Sequence, residues 1–320
     1  MIVLAAGFGT RLWPLTADRA KPAVPFLGQP LIAGLVDRLA KAGFERVVVN
    51  THHQPASIRS ALAGREVQFS HETEILGTAG GPAQARDLGL LDPNDDVLIV
   101  NGKLYTEIDF GAVMAAHRAS GAAVTMVLRS NAQRAHFREV LVDGGQITGF
   151  GQGRIPSGPD PLLFTGVHVV SSSVLQTMMP VFSDTIRDVY PPLIEAGEVS
   201  AHLADQGRWW EFSTPERYWA LHQQAATEGW GQDVVADPSA ERHSSAHVSQ
   251  AVLWSGVRID ANARVERSIL CEGVFIKAGE QVKDSVVVRK DRLQDPERGQ
   301  AWGDRIRIPL DATLSGALRS

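Results

Sequence analysis

Short apolar runs alternate with amphipathic stretches along the first half of the chain. Residues 2–5 form an apolar run closed by glycines, which predicts a first strand and a turn. Residues 30–42 put Leu31, Ile32, Leu35, Val36 and Leu39 on one helical face, and Gly43 can end that helix. A strand at 47–49, a helix near 56–62, a strand at 97–100, a helix at 110–119 stopped by Gly121 and a strand at 123–128 continue the rhythm. It predicts βαβ units on a mixed, mostly parallel sheet, an α/β Rossmann-like fold. At 140–150 the rhythm breaks, because Gly144 and Gly145 join two short runs as a hairpin. A strand at 164–170 and an amphipathic helix at 214–227 follow.

Residues 228–245 lose all periodicity and read as a linker. The spacing then changes. Val248, Leu253, Ile259, Val265, Leu270, Ile276, Val282 and Val288 recur five or six residues apart, with Gly256, Gly273 and Gly279 between them. A six-residue period with small residues at the corners predicts a parallel β-helix over 246–290. Residues 291–320 carry little pattern, so the expected domains are 1–227, the linker, the β-helix and a tail.

Composition narrows the setting. A chain of 320 residues with 44% hydrophobic content can bury one large core and a smaller one. A net charge of −5 provides no broad basic face for nucleic acid. The single cysteine, Cys271, cannot form an internal disulfide and is expected in the core of the β-helix; this favours a reducing, cytoplasmic compartment. No apolar run approaches the roughly 20 residues of a membrane span. The N-terminal MIVLAAG has no basic flank and reads as a strand rather than a signal peptide.

The densest chemistry lies in LAAGFGTRLWPLTADRAKPAVPF, residues 4–26. Gly7 and Gly9 directly follow a strand, where glycines let backbone N–H groups approach a phosphate. Arg11 can fork onto phosphate oxygens, whereas Lys21 is a compact point charge. The stretch resembles the signature L-A-A-G-x-G-T-R-L-x-P-L-T-x-x-x-P-K-P of the sugar-1-phosphate nucleotidylyltransferases, with Ala20 where the signature has proline. VVVNTHH (47–53), ETEILGTAGG (72–81), FTGVHVV (164–170) and WWEFSTPERYW (209–219) extend the resemblance over about residues 1–290.

The resemblance implies a nucleotidyltransferase fold and a left-handed parallel β-helix, as in the mannose-1-phosphate guanylyltransferase branch. It implies synthesis of a nucleotide sugar and pyrophosphate from an NTP and a sugar 1-phosphate. GTP is the first expectation, thymine or uracil nucleotides the next, and the sugar is not readable. Leu4, Ala6, Gly7, Gly9 and Thr10 then lie against the nucleotide, with Asn101 and Gly102 beside them. Arg11 and Lys21 hold the phosphates. Glu72 stands where the family reads the base, and Gly77, Thr78 and Gly80 shape the base pocket. Gly149, Thr165 and Gly166 approach the sugar. His52 and His53 are expected to be structural. Assembly with like or unlike chains is expected through the β-helix.

The family holds Mg²⁺ with two aspartates, one in N-G-D and one in W-x-D-x-G, and both positions differ here. The first is Lys103; the second, read from WWEFSTPE, is Glu211, with Ser213 replacing the glycine. Two aspartates and one Mg²⁺ sum to zero charge, and so do Lys103 and Glu211, which suggests an ion pair in place of the metal. An ammonium lacks the octahedral geometry and second charge of Mg²⁺. The expectation therefore divides between an enzyme with altered metal positions, a relative that binds nucleotide as a sensor or regulatory subunit, and an ordinary enzyme disabled by an engineered or accidental change at Lys103. The family's second lysine motif, E-K-P, has only Arg154 in GFGQGRIP (149–156) near its expected place.

Overall fold

The computed structural model describes residues 1–131, 137–151, 160–293 and 295–310. Arg154 lies outside them. Contacts divide the chain into two units: Met1–Gly7 with Ile32–Trp209, and Phe8–Leu31 with Trp210–Ser320. This differs from the boundaries read in the sequence, because the glycine-rich stretch packs with the C-terminal part.

The first unit is built on nine strands: β1 (Ile2–Leu4), β2 (Val48–Thr51), β3 (Gln68–His71), β4 (Val97–Asn101), β5 (Val124–Ser130), β6 (Glu139–Asp143), β7 (Gln146–Phe150), β8 (Leu162–Val170) and β9 (Val199–Leu203). Their order is β3-β2-β1-β4-β8-β5-β9-β7-β6. The first four run parallel, while β8 runs antiparallel to both β4 and β5. Residues 97–100 are buried throughout, as a parallel strand covered on both faces requires. Helix α1 (Leu31–Lys41) buries Ile32, Leu35, Val36 and Leu39, the face that the spacing predicts. Gly144 and Gly145 both take positive φ and turn the β6–β7 hairpin.

Five further helices belong to the unit: α2 (Pro55–Ala61), α3 (Gly77–Asp87), α4 (Phe110–Ser120), α5 (Ser172–Thr177) and, after a short π-turn, α6 (Tyr190–Glu195). Helix α3 runs against local propensity, since GTAGGPAQARD holds three glycines and a proline in eleven residues. Tertiary packing makes it: Ala79, Ala83 and Ala85 are fully buried. A Cβ on Gly80 would lie 2.1 Å from the Val181 carbonyl oxygen, and one on Gly77 2.4 Å from that of Ser183. Ala79 N–H donates to Ser183 O, and Ser183 N–H to Leu76 O, both at 3.0 Å.

The second unit contains α7 (Pro215–Thr227), capped by the Thr214 side chain. Strands β10 (Val234–Ala236), β11 (Glu241–Arg242), β12 (His247–Leu253), β13 (Arg258–Ile259), β14 (Arg264–Leu270), β15 (Phe275–Ile276), β16 (Gln281–Lys283) and β17 (Ser285–Arg289) follow. All pair in parallel at a spacing of 17 residues: Val234 with Ala251, Ala251 with Ser268, Arg258 with Phe275, Val265 with Val282. Positive φ recurs at the same spacing, at Gln250, Arg267 and Asp284, at Gly256 and Gly273, and at Asn262 and Gly279. These corners fall six, six and five residues apart, so each coil has three sides, one of them short. Like apolar residues stack on like: Ile259 under Ile276, Leu253 under Leu270 under Val287. The short side moves the last inward position to Val287 from the expected Val288.

Two expectations change here. The segment read as a linker holds β10 and β11, which open the coil stack; strands of two or three residues leave no periodic trace. The segment read as a tail holds β18 (Gln300–Trp302) and β19 (Arg305–Pro309), an antiparallel hairpin that closes the stack, with β19 pairing antiparallel to β17.

Candidate functional site

The carboxyl ends of β1, β2 and β4 come together in the first unit, where ligands gather in open α/β sheets. Gly102 N–H donates to Leu4 O at 2.9 Å, tying the Asn101-Gly102 turn to the end of β1. Gly166 sits at a register shift in β8, and a Cβ there would lie 2.3 Å from Asn101 Nδ2. Leu4, Asn101, Gly102 and Gly166 are thus drawn together, and Lys103 follows at once. A Cβ on Gly7 would meet nothing within 4 Å, so packing does not explain this glycine; it leaves open space beyond β1.

Asn50, in β2, belongs to the site although no motif in the sequence singles it out. Its Oδ1 accepts the Ala5 N–H at 2.6 Å, and its Nδ2 donates to Glu72 Oε1 at 2.6 Å. Glu72 Oε2 accepts the Leu76 N–H at 2.9 Å. Glu72 is fully buried, and that burial pushes its carboxyl above the ordinary range. Both oxygens are engaged inside the protein, so Glu72 braces the strand ends instead of facing a base. Gly81 permits this, since a Cβ there would lie 2.7 Å from both Asn50 and Glu72 side-chain atoms. A buried asparagine closing the apolar run VVVN is the signal that could have revealed the brace.

Other expected positions are also taken up internally. Gly77 and Gly80 pack against the backbone of 181–183, as above. Thr78 Oγ1 donates to Asp184 Oδ2 at 3.0 Å and accepts from the Thr185 N–H at 2.8 Å. Thr165 is buried; its hydroxyl donates to Val127 O at 2.8 Å, and its carbonyl accepts from Trp209 Nε1 at 2.9 Å. Gly149 lies on the edge hairpin opposite Leu141. His52 Nδ1 is 2.9 Å from Glu72 O, a structural contact. Cys271 is buried, and burial pushes its thiol well up.

The second unit holds the rest of the signature. Gly9 has a φ of 68°, and a Cβ on it would lie 2.9 Å from Lys21 Cβ. Thr16 Oγ1 donates to Gly9 O at 3.1 Å, fastening the loop. Thr10 and Arg11 are exposed on the short turn Thr10–Leu12. Lys21 is buried with its Nζ 3.6 Å from Glu211 Oε1. Glu211 lies between two buried aromatics, Trp210 and Phe212, which meet Phe26 edge-on at centroid distances of 5.9 and 4.8 Å. Arg217 Nε donates to the Glu211 carbonyl at 2.8 Å. The sequence balances the charge of Glu211 against Lys103; the ion pair described for it is with Lys21.

A nucleotidyl transferase family model matches residues 1–228. The chain belongs to this family. Its relatives include mannose-1-phosphate guanylyltransferases, at 26% identity for the Dictyostelium discoideum catalytic subunit beta, 28% for the Mycobacterium tuberculosis protein and 29% for that of Schizosaccharomyces pombe. Each alignment covers 68% of this chain and 61–62% of the relative, so the chain spans less than two thirds of their length. A crystal structure of HddC from Yersinia pseudotuberculosis, complexed with GMP-PN, superposes with a TM-score of 0.59 at 19% identity, covering 70% of this chain and 97% of that one. It shares the family fold.

Neither position that the resemblance reads as a Mg²⁺ ligand carries an aspartate. No group of three or more His, Cys, Asp or Glu side chains among the described residues could hold a metal. Position 103 carries an ammonium, and the Glu211 carboxylate has one at 3.6 Å. No helix among the described residues is long and apolar enough to cross a membrane.

Proposed function

We propose that the chain transfers a nucleotidyl group from an NTP, GTP first, to a sugar 1-phosphate of the mannose type. The carrying observation is the exposed turn Gly7–Arg11 beyond β1, with Lys21 buried against Gly9 and ion-paired to Glu211. Backbone N–H groups of this turn take the phosphates, as glycine-rich turns after strands do. Arg11, exposed and forked, holds the β- and γ-phosphates. A sugar-phosphate oxygen attacks the α-phosphorus in line; the bond from α-phosphorus to the bridging oxygen breaks, and pyrophosphate leaves with the electron pair. Little covalent work falls to the protein, so positioning and charge neutralisation carry the catalysis. In the second unit Lys21 supplies fixed positive charge beside the turn; in the first unit Lys103 supplies it after the Asn101-Gly102 turn. The coil stack is read as the left-handed parallel β-helix that the resemblance implies.

The lysine at 103 favours a second reading, in which the chain binds a nucleotide or nucleotide sugar without turnover. Calorimetry with GTP, dTTP, UTP and GDP-mannose, each with and without Mg²⁺, followed by pyrophosphate release across sugar 1-phosphates, separates the two. Binding with release supports the enzyme. Binding without release supports the sensor, and no binding sinks both.

A further inference from the structure

Asp18, Arg19, Glu272 and Arg292 close a ring of alternating charge within the second unit. Arg19 Nε donates to Asp18 Oδ1 at 2.9 Å, and its Nη2 to Glu272 Oε2 at 2.5 Å. Arg292 meets the same two carboxylates, at 3.5 Å from Asp18 and 3.6 Å from Glu272. The Arg19 guanidinium also lies 4.6 Å from the centre of the Trp254 ring. The Trp254 indole N–H donates to the Tyr218 hydroxyl at 3.1 Å, and that hydroxyl donates to Pro25 O at 2.5 Å. Asp18, Arg19 and Pro25 belong to the loop segment, Trp254 and Glu272 to the coil stack, and Arg292 to the turn that follows it.

The packing behind Arg19 is not solid. A cavity of about 170 Å³ is lined by Arg19, Tyr218, His222 and Trp254, among others. Ion pairs and the ring face therefore hold the guanidinium, and without them it has room to move. Lys21 comes two residues later, and its Cβ leaves no space for a side chain on Gly9. A shift at Arg19 thus reaches the glycine turn through a short, tightly packed path.

We infer that Arg19 is a positioning residue through which the coil stack holds the glycine turn in its nucleotide-binding shape, an inference that rests on the reading of that turn given above. A lysine is a poor replacement, because an ammonium lacks the planar fork that meets two carboxylates while its face lies on an aromatic ring.

The test uses the full chain with Arg19→Ala and, should that variant not fold, Glu272→Gln, a change in the stack itself. GTP affinity is measured by calorimetry, with the KM of each substrate and the melting temperature alongside. Arg19→Ala is expected to weaken GTP binding about tenfold and Glu272→Gln about threefold, raising the KM for GTP and sparing that for the sugar phosphate. Arg258→Ala, which removes a guanidinium lying over Phe275 on the stack, is expected to change nothing. Unchanged GTP affinity in the variants, with a wild type that binds, overturns the inference and leaves the function standing. Equal rises in both KM values with a matching fall in melting temperature also overturn it, since that is loss of fold. A wild type that binds no NTP removes the function reading and this inference with it.

Discussion

At position 103 a lysine stands where the signature has a metal-binding aspartate. Restoring the acid is expected to create a Mg²⁺ dependence: Lys103→Asp should tighten GTP binding about tenfold with Mg²⁺ present and raise pyrophosphate release. Activity unchanged or lowered by that substitution would count against a lysine in the metal's place. Gly80 makes a different residue-scale prediction. A methyl group there meets the Val181 carbonyl oxygen at 2.1 Å, and main-chain atoms cannot swing aside. Gly80→Ala is expected to cost about 2 kcal/mol in urea denaturation, with no direct loss of a ligand contact. The motif match picks out Gly80 and implies a base pocket for it. A repeated glycine in sequence does not say whether a ligand or the chain's own backbone lies against it.

Among the elements, the hairpin β18–β19 closes the coil stack, and Arg305 is its fastening. Arg305 is buried, with Nη1 donating to Phe275 O at 2.6 Å and both Nη atoms bonded to Glu280, at 2.7 and 2.8 Å. Hydrogen bonding to Arg305, ahead of the opposing burial, holds the Glu280 carboxyl below its ordinary value of 4.5. The folded protein therefore holds this proton less tightly than the unfolded chain. The resulting stability is present above pH 4.5 and is lost as pH falls through the lowered folded value. Arg305→Ala is expected to cost about 2 kcal/mol at pH 7 and less toward pH 3, by urea denaturation at both. A cost that does not shrink in acid would exclude the ion pair as its source. The coil period was legible because apolar side chains must point inward every side. The closing hairpin was not, because two short antiparallel strands leave no comparable trace in QAWGDRIRIP.

For the whole molecule, the family match ends at residue 228, but the packing does not respect that end. Phe26 meets Trp230 at 6.4 Å, Tyr218 bonds to Trp254, and Arg19 pairs with Glu272. A chain cut after residue 228 is expected to expose these groups and to open residues 8–31 to limited proteolysis, while the first unit keeps its own core. A loop segment as resistant in the truncated chain as in the full one would show that it does not need the stack.

The sequence by itself determined the strand and helix rhythm, the glycine-rich turn with its cations, the coil period and the family, because these depend on local spacing and on residue types close together in the chain. Only the tertiary structure decided that α3 is a helix, that Glu72 is a buried brace held by Asn50, that Lys21 pairs with Glu211, and that residues 8–31 pack with the C-terminal unit. Each of these depends on contacts between residues 20 or more positions apart or on close backbone approach, and neither is written into local spacing.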